Sequence, residues 1–318
     1  MKYNAPKWLP SGHLQTIYPA LYISKPKVDF RRERWDTPDG DFIDVDFVDG
    51  QAGQPFVVLF HGLEGSSDSH YARALMALVK ERGWSGAVPH FRGCSGELNQ
   101  APRFYHSGDA QEIAWVIQRL QAAYSTQHPG GKFYAAGVSL GGNALLRWLG
   151  ESPDQAAIVD AAVSISAPLD LAQGGASLSS GFNMLYTRMF LKTLKPKCLK
   201  KLDQFPGLFN RNALLAAKNL YEFDNVVTAP LHGYLDTDDY WNRASAKHVL
   251  PDIRVPTLVM NALNDPFLPG HHLPHKASSH VTLDYPKHGG HVGFAVGKPP
   301  GSLHWLPEKI LHFFERGR

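Results

Sequence analysis

The sequence predicts an α/β fold: a mostly parallel central sheet, covered by helices on both faces and interrupted once by a helical insertion. Three observations carry this. Short apolar runs alternate with segments of helical period along the chain. The runs are continuous rather than alternating, as expected for strands buried on both faces. The alternation lapses only between about 167 and 250.

Residues 28–49 read as two strands around a turn at Thr37-Pro38-Asp39-Gly40. Phe56-Val57-Val58-Leu59-Phe60 is the first buried strand. Residues 69–82 are helical, with Tyr71, Leu75, Leu78 and Val79 near a 3.6 period. Gly86 to Phe91 is the next strand, and 108–124 the next helix, through Ile113, Val116, Ile117 and Leu120. Phe133-Tyr134-Ala135-Ala136 leads into a serine turn, and an apolar stretch covers 158–166. Thr257 to Met260 and Val281 to Tyr285 are the last strands, and 303–315 the terminal helix. The expected organisation is a single domain over 1–318, with a core of about 1–166 and 251–318. The segment 167–250 falls between two strands of the series. It therefore reads as a lid over the carboxyl edge of the sheet, where open α/β sheets hold their sites.

The 318 residues are 43% hydrophobic and 19% charged, which allows a substantial core. A net charge of +3 gives no argument for nucleic acid. Two cysteines, Cys94 and Cys198, make no disulfide scaffold and favour a reducing compartment. The N-terminal residues lack the apolar core of a signal peptide, and no run of about 18 apolar residues appears. A cytoplasmic protein is the expectation. Nothing in the pattern sets an oligomeric state.

Gly137-Val138-Ser139-Leu140-Gly141 carries the chemistry. A strand precedes it and a helix-like run, Asn143 to Leu149, follows it. A strand-to-helix turn this tight needs near-absent side chains beside its apex, and glycine supplies them at 137 and 141. The apex serine then sits over a helix N-terminus, where free N–H groups favour developing negative charge. Gly-x-Ser-x-Gly alone is a weak pattern, and the serine could be an ordinary turn residue.

A nucleophilic serine needs a base, and the base an orienting acid. Asp265 follows the strand 257–260, and His291 lies past the last strand. Ser139, Asp265, His291 is a triad order found on sheets of this kind, and all three sit in loops at strand C-termini. Asp before proline can simply start a turn. His288 competes with His291. Gly289-Gly290 lets the chain turn just before 291, and the apolar residues after it can pack that loop, so His291 is preferred. An oxyanion hole is expected from His61-Gly62-Leu63-Glu64-Gly65, with the backbone N–H groups of Leu63 and Leu140 as donors. The alternative for that loop is a plain strand-to-helix turn.

These residues resemble the α/β-hydrolase superfamily, most closely its YheT-like branch, the AB hydrolase 4 family of esterases and lipases. The similarity runs over nearly the whole chain. Its marks are Trp8-Leu9-Pro10-Ser11-Gly12-His13-Leu14-Gln15-Thr16, His61 to Ser67, Phe91-Arg92-Gly93-Cys94-Ser95-Gly96, and the serine turn. Thr228-Ala229-Pro230 with Gly233-Tyr234, and Asn264-Asp265-Pro266, complete them. The resemblance puts nucleophile, acid and base on Ser139, Asp265 and His291. It implies carboxylic ester hydrolysis through an acyl-enzyme, on lipid-like or short- to medium-chain acyl esters, without metal or organic cofactor. Some relatives transfer acyl groups to alcohols, so acyl transfer by the same triad is a rival expectation. A catalytically silent binding protein that keeps the pocket is another.

Two further features read as structural. His271-His272-Leu273-Pro274-His275 lies among Pro269, Gly270 and Pro274 with no carboxylate, as a solvated loop rather than a metal site. Cys94 reads as a small buried residue near the site. Residues 182–202 combine apolar Phe182, Met184, Leu185, Met189, Phe190, Leu191 and Leu194 with six cations and no acid. The expectation is a lid with an apolar underside and a solvated basic outside. Weak peripheral contact with anionic lipid through that basic lid is the alternative.

Overall fold

The computed structural model describes residues 1–316. Helix α1 (Gly12–Leu21) opens the chain, capped by the Ser11 hydroxyl, which accepts the Leu14 amide. Strands β1 (Arg31–Asp36) and β2 (Phe42–Val48) form a hairpin. Then come β3 (Phe56–Phe60), α2 (His70–Glu81), β4 (Ser85–Pro89), α3 (Ala110–Gln127), β5 (Phe133–Val138), α4 (Leu140–Glu151), the short α5 (Pro153–Ala156) and β6 (Ala161–Ile165). Helices α6 (Leu171–Leu178), α7 (Met184–Gln204), α8 (Arg211–Ala216), α9 (Leu220–Val226), α10 (Thr228–Leu231) and α11 (Thr237–Ala244) follow without a strand. Strands β7 (Thr257–Met260) and β8 (Val281–Asp284) and helix α12 (Trp305–Arg316) complete the described chain.

The eight strands form one sheet in the order β1-β2-β4-β3-β5-β6-β7-β8. Strand β2 runs antiparallel to both neighbours, and every pair from β4 across to β8 is parallel. Alternate residues of each strand serve opposite cores. Phe56, Val58 and Phe60 join Phe133 and Ala135 beneath α3 and α4. Val57 and Leu59 join Tyr134, Ala136 and Val138 beneath α2 and α12. This two-sided burial is why the strands read as unbroken apolar runs.

The sequence pattern gives no helix at α1, and the reason is physical. Its buried positions are Gln15, Thr16 and Pro19, while Leu14 and Leu21 are exposed. Polarity is inverted relative to an ordinary amphipathic helix.

The basic outer face expected of 182–202 also needs correction. Lys201 is fully buried and donates to the carbonyls of Asn99 and Ala101. Lys195 donates to the carbonyls of Leu215 and Ala217, and Lys197 pairs with Glu64 at 2.9 Å. Arg188, Lys192 and Lys200 remain exposed, together with Phe182, Leu185 and Met189. Each cation turned inward meets a carbonyl or a carboxylate that repays its desolvation. No helix among the described residues is long and apolar enough to cross a membrane.

Candidate active site

The turn from β5 into α4 holds Ser139 at φ +52°, ψ −120°, a strained conformation for a non-glycine residue. It is held there because the Ser139 amide donates to the Ile165 carbonyl at 2.8 Å, while its carbonyl accepts from Asn143. A side chain at Gly141 would stand 2.4 Å from the His61 carbonyl oxygen, so only glycine lets β3 and α4 approach this closely.

The loop after β7 carries Asp265, which is 2% exposed. One carboxylate oxygen accepts the Phe267 amide at 2.8 Å, and the other lies 2.9 Å from His291 Nδ1. His291 Nε2 lies 3.0 Å from Ser139 Oγ. The structure thus brings Ser139, His291 and Asp265 into one hydrogen-bonded line. His288 is exposed and its ring neighbour is the Asn264 amide at 3.4 Å. Phe267 stacks on His291 with centroids 3.9 Å apart, fixing the plane of the imidazole.

Helix α1 supplies the groups that hold the histidine loop. Thr16 Oγ1 accepts the His291 amide at 2.9 Å, and Gln15 Oε1 accepts the Gly289 amide at 2.8 Å. Asn264 Oδ1 accepts the Gly290 amide, and its amide nitrogen donates back to Gln15. A Cβ at Gly293 would fall 1.7 Å from the Gln15 carbonyl oxygen, so loop and helix are in direct backbone contact. His70 reaches the same loop, 3.0 Å from the Val292 carbonyl oxygen, and burial holds its imidazole down to about 4.

The loop after β3 is pinned on either side of Leu63. Tyr71 OH accepts the Gly62 amide at 2.9 Å, and Tyr105 OH accepts the Glu64 amide at 2.8 Å. His61 is fully buried. Its Nε2 accepts the Phe91 amide, so the tautomer with hydrogen on Nδ1 donates to the Gly62 carbonyl. Burial lowers this imidazole to about 3, keeping it neutral. The Leu63 amide therefore lies between two anchored neighbours. The Leu140 amide is in the first turn of α4, where helix geometry leaves it no acceptor.

A cavity lined by Leu63, Ser139, Leu140 and His291 extends under the insertion. Leu171, Leu178, Phe190, Leu194 and Trp241 make its wall largely apolar. Polar groups in its lining include Glu64 with Lys197, Asp224, His106 and His232. Burial raises Asp224 to about 6 despite hydrogen bonds from Thr228 and Trp241. Burial holds His106 and His232 down to about 3. Burial also pushes the Cys94 thiol up to about 12, so it is not a thiolate near neutral pH. Arg92, in the same segment, is buried against Asp39, Asp41 and Glu112 and fixes the shape of that turn. Among the described residues no group of three or more His, Cys, Asp or Glu is placed to hold a metal.

Comparison with known proteins fits this geometry. A family model described as the alpha/beta hydrolase fold matches residues 55–298. The chain belongs to the α/β-hydrolase family. Within it the chain is YheT-like. It is 38% identical over 305 residues to the protein of Escherichia coli K12 named Putative esterase YheT, covering 94% of this chain and 88% of that one. Phospholipase ABHD3 of Homo sapiens is 31% identical over 320 residues, covering 97% of this chain and 77% of that one. Among solved structures, the Pyrococcus furiosus esterase Pf2001 superposes with a TM-score of 0.56 at 14% identity, covering 92% and 97%, which shows the shared fold.

No motif marks the roles of Tyr71, Tyr105, Phe267 and Lys197: in the sequence Tyr71 reads only as a helix-face residue and Lys197 only as one cation of 182–202. Gln15 and Thr16 lay inside a segment the resemblance had marked, without a role.

Proposed function

We propose that this chain is a carboxylic ester hydrolase in which Ser139 is the nucleophile, His291 the base and Asp265 the orienting acid. The observation that carries the reading is the pair of contacts at His291: 3.0 Å to Ser139 Oγ and 2.9 Å to Asp265. Ser139 Oγ forms a bond to the acyl carbon while its proton passes to His291 Nε2. Asp265 accepts from Nδ1–H, which selects the tautomer and favours the imidazolium. The oxyanion is stabilised by the Leu63 and Leu140 amides, whose positions support that role. His291 returns the proton to the leaving alcohol. Water then repeats the sequence on the acyl-enzyme and frees the acid.

The insertion acts as a lid whose inner wall takes the acyl chain. Phe190, Leu194, Leu178 and Trp241 support this, being apolar and in the same cavity as Ser139. The substrates are lipid-like or short- to medium-chain acyl esters. The names of the relatives, esterase and phospholipase, agree with that chemistry. A fluorophosphonate probe tests the reading. Labelling at Ser139, lost in Ser139→Ala, supports it, and a folded protein that does not react overturns it.

A further inference from the structure

Helices α1 and α7 meet near the active site through His13 and Tyr186, and both turn large apolar side chains outward. Phe182, Leu185 and Met189 are 56%, 44% and 54% exposed, and their spacing of three and four places them on one side of α7 and its lead-in. Leu14 and Leu21, seven apart on α1, are 44% and 63% exposed, and Tyr22 follows at 66%. The two helices touch beside these stripes. His13 packs on Phe182 with centroids 4.6 Å apart, its Nδ1 is 3.1 Å from Tyr186 OH, and Ile17 packs against the cluster of Leu178, Tyr186 and Phe267.

The two segments that build this face carry charge of one sign. No Asp or Glu occurs in residues 1–28 or 171–202. Arg188 and Lys192 are exposed on the same side of α7 as Leu185 and Met189. A second copy of the chain fits poorly, because a two-fold contact would set these cations against themselves. An anionic partner fits, and so does one that accepts scattered apolar side chains without a matching groove.

We infer that the exposed faces of α1 and α7 form a docking surface for an anionic lipid bilayer, with Phe182, Leu185, Met189, Leu14 and Leu21 entering the acyl boundary and Arg188 and Lys192 meeting headgroup phosphates. The surface also lies beside the catalytic groups. Phe182 touches Tyr186, Tyr186 touches Phe267, and Phe267 stacks on His291. That the bilayer then delivers acyl esters to the cavity rests on the ester-hydrolase reading; the docking itself does not.

The full chain is sedimented with vesicles of phosphatidylcholine alone and of phosphatidylcholine with phosphatidylglycerol, and turnover of p-nitrophenyl acetate is followed in parallel. Binding is expected to the mixed vesicles, falling with added salt. Phe182→Ser with Met189→Ser should weaken it about tenfold or more, from the apolar area no longer buried. Arg188→Glu with Lys192→Glu should remove the preference for the anionic vesicles, at about fivefold per cation lost. Turnover of the soluble ester should stay within about twofold in both, which shows that the variants fold. If a variant misfolds, the single Met189→Glu carries the same test. No binding to either vesicle, or binding indifferent to these changes, overturns the proposal. So does a dimer in sedimentation that the Phe182→Ser change dissolves. Vesicle binding by a chain that hydrolyses no ester would sink the ester reading and leave the docking surface standing.

Discussion

Helices α1 and α7 meet the same histidine in opposite ways. The buried side of α1 is polar: Gln15 and Thr16 accept backbone amides of the loop that carries His291. The buried side of α7 is aromatic and aliphatic: Tyr186 and Phe190 pack on Phe267, and Phe190 and Leu194 line the cavity. Hydrogen bonds to fixed amides tolerate little displacement, whereas apolar contact is non-directional. The difference teaches a division of labour. On the proposed reading, the first helix sets where the base sits, and the second sets what the cavity accepts. Changes on the buried side of α1 should therefore lower kcat, and changes on the buried side of α7 should alter acyl selectivity.

The largest effect belongs to the group both helices serve. Ser139→Ala should lower ester turnover by about 10⁴-fold or more, with His291→Ala close behind because the two act as a unit. Thermal unfolding should be little changed. His288→Ala should leave turnover near wild type, since its ring meets the Asn264 amide while His291 holds the contact to Ser139. A profile in which His288, rather than His291, abolishes activity would falsify the assignment of the base.

Next comes the contact on α1. Thr16→Val keeps the shape of the side chain and removes the acceptor of the His291 amide. The amide is left in a part-buried place without a partner, which costs about 1–3 kcal/mol of local stability. A small displacement of the base is enough to lower kcat by about 10- to 100-fold. KM should change little, because the cavity wall is untouched. Stopped-flow measurement of acyl-enzyme formation checks this, and wild-type kcat in Thr16→Val would remove α1 from the comparison.

A smaller, selective effect is expected from α7. Each methylene buried in the cavity contributes about 0.8 kcal/mol, or roughly fourfold in kcat/KM. The gain stops where the cavity is full, so kcat/KM should rise from acetyl to a medium-length ester and then fall. Phe190→Ser should flatten the rise while leaving acetyl ester turnover near wild type. Met184 is a weaker site for this change, because Phe190 and not Met184 lies on the cavity wall. A profile from acetyl upward that stays flat in wild type would leave the insertion without a role in acyl recognition.

The same contrast explains what could be read in the sequence. The strands were legible because residues such as Val57 and Val58 face two different cores and leave an unbroken apolar run. The serine turn was legible because the backbone approach at Gly141 admits no other residue. Helix α1 was not, because its buried residues are the polar ones. In α7 and its lead-in the burial of Lys201 and the exposure of Phe182 run against the rule that relates hydrophobicity to depth. The roles of Tyr71 and Tyr105 are not legible for another reason. Each acts through one hydroxyl on an amide distant in sequence, and no local pattern encodes such a pairing.

The smallest effect sharpens the comparison through acid. His232, at the start of the turn after α10, is held down to about 3 by burial, with His106 beside it at a ring distance of 4.3 Å. In the unfolded chain the imidazole titrates near 6.5. Between these values the unfolded chain carries one more proton than the folded one. Stability is therefore full above about pH 6.5 and falls as pH drops toward 3, by at most about 1.4 kcal/mol per pH unit from this residue. His232→Gln should take one proton from that slope while changing stability at pH 7 little. Urea midpoints between pH 7 and 4.5 measure it. An unchanged slope would mean that His232 takes its proton in the folded protein, which requires the insertion to open below about pH 6.5. The region built on apolar contact would then loosen under conditions in which the hydrogen-bonded loop on α1 stays closed, and acyl selectivity should fade with falling pH before turnover of the acetyl ester does.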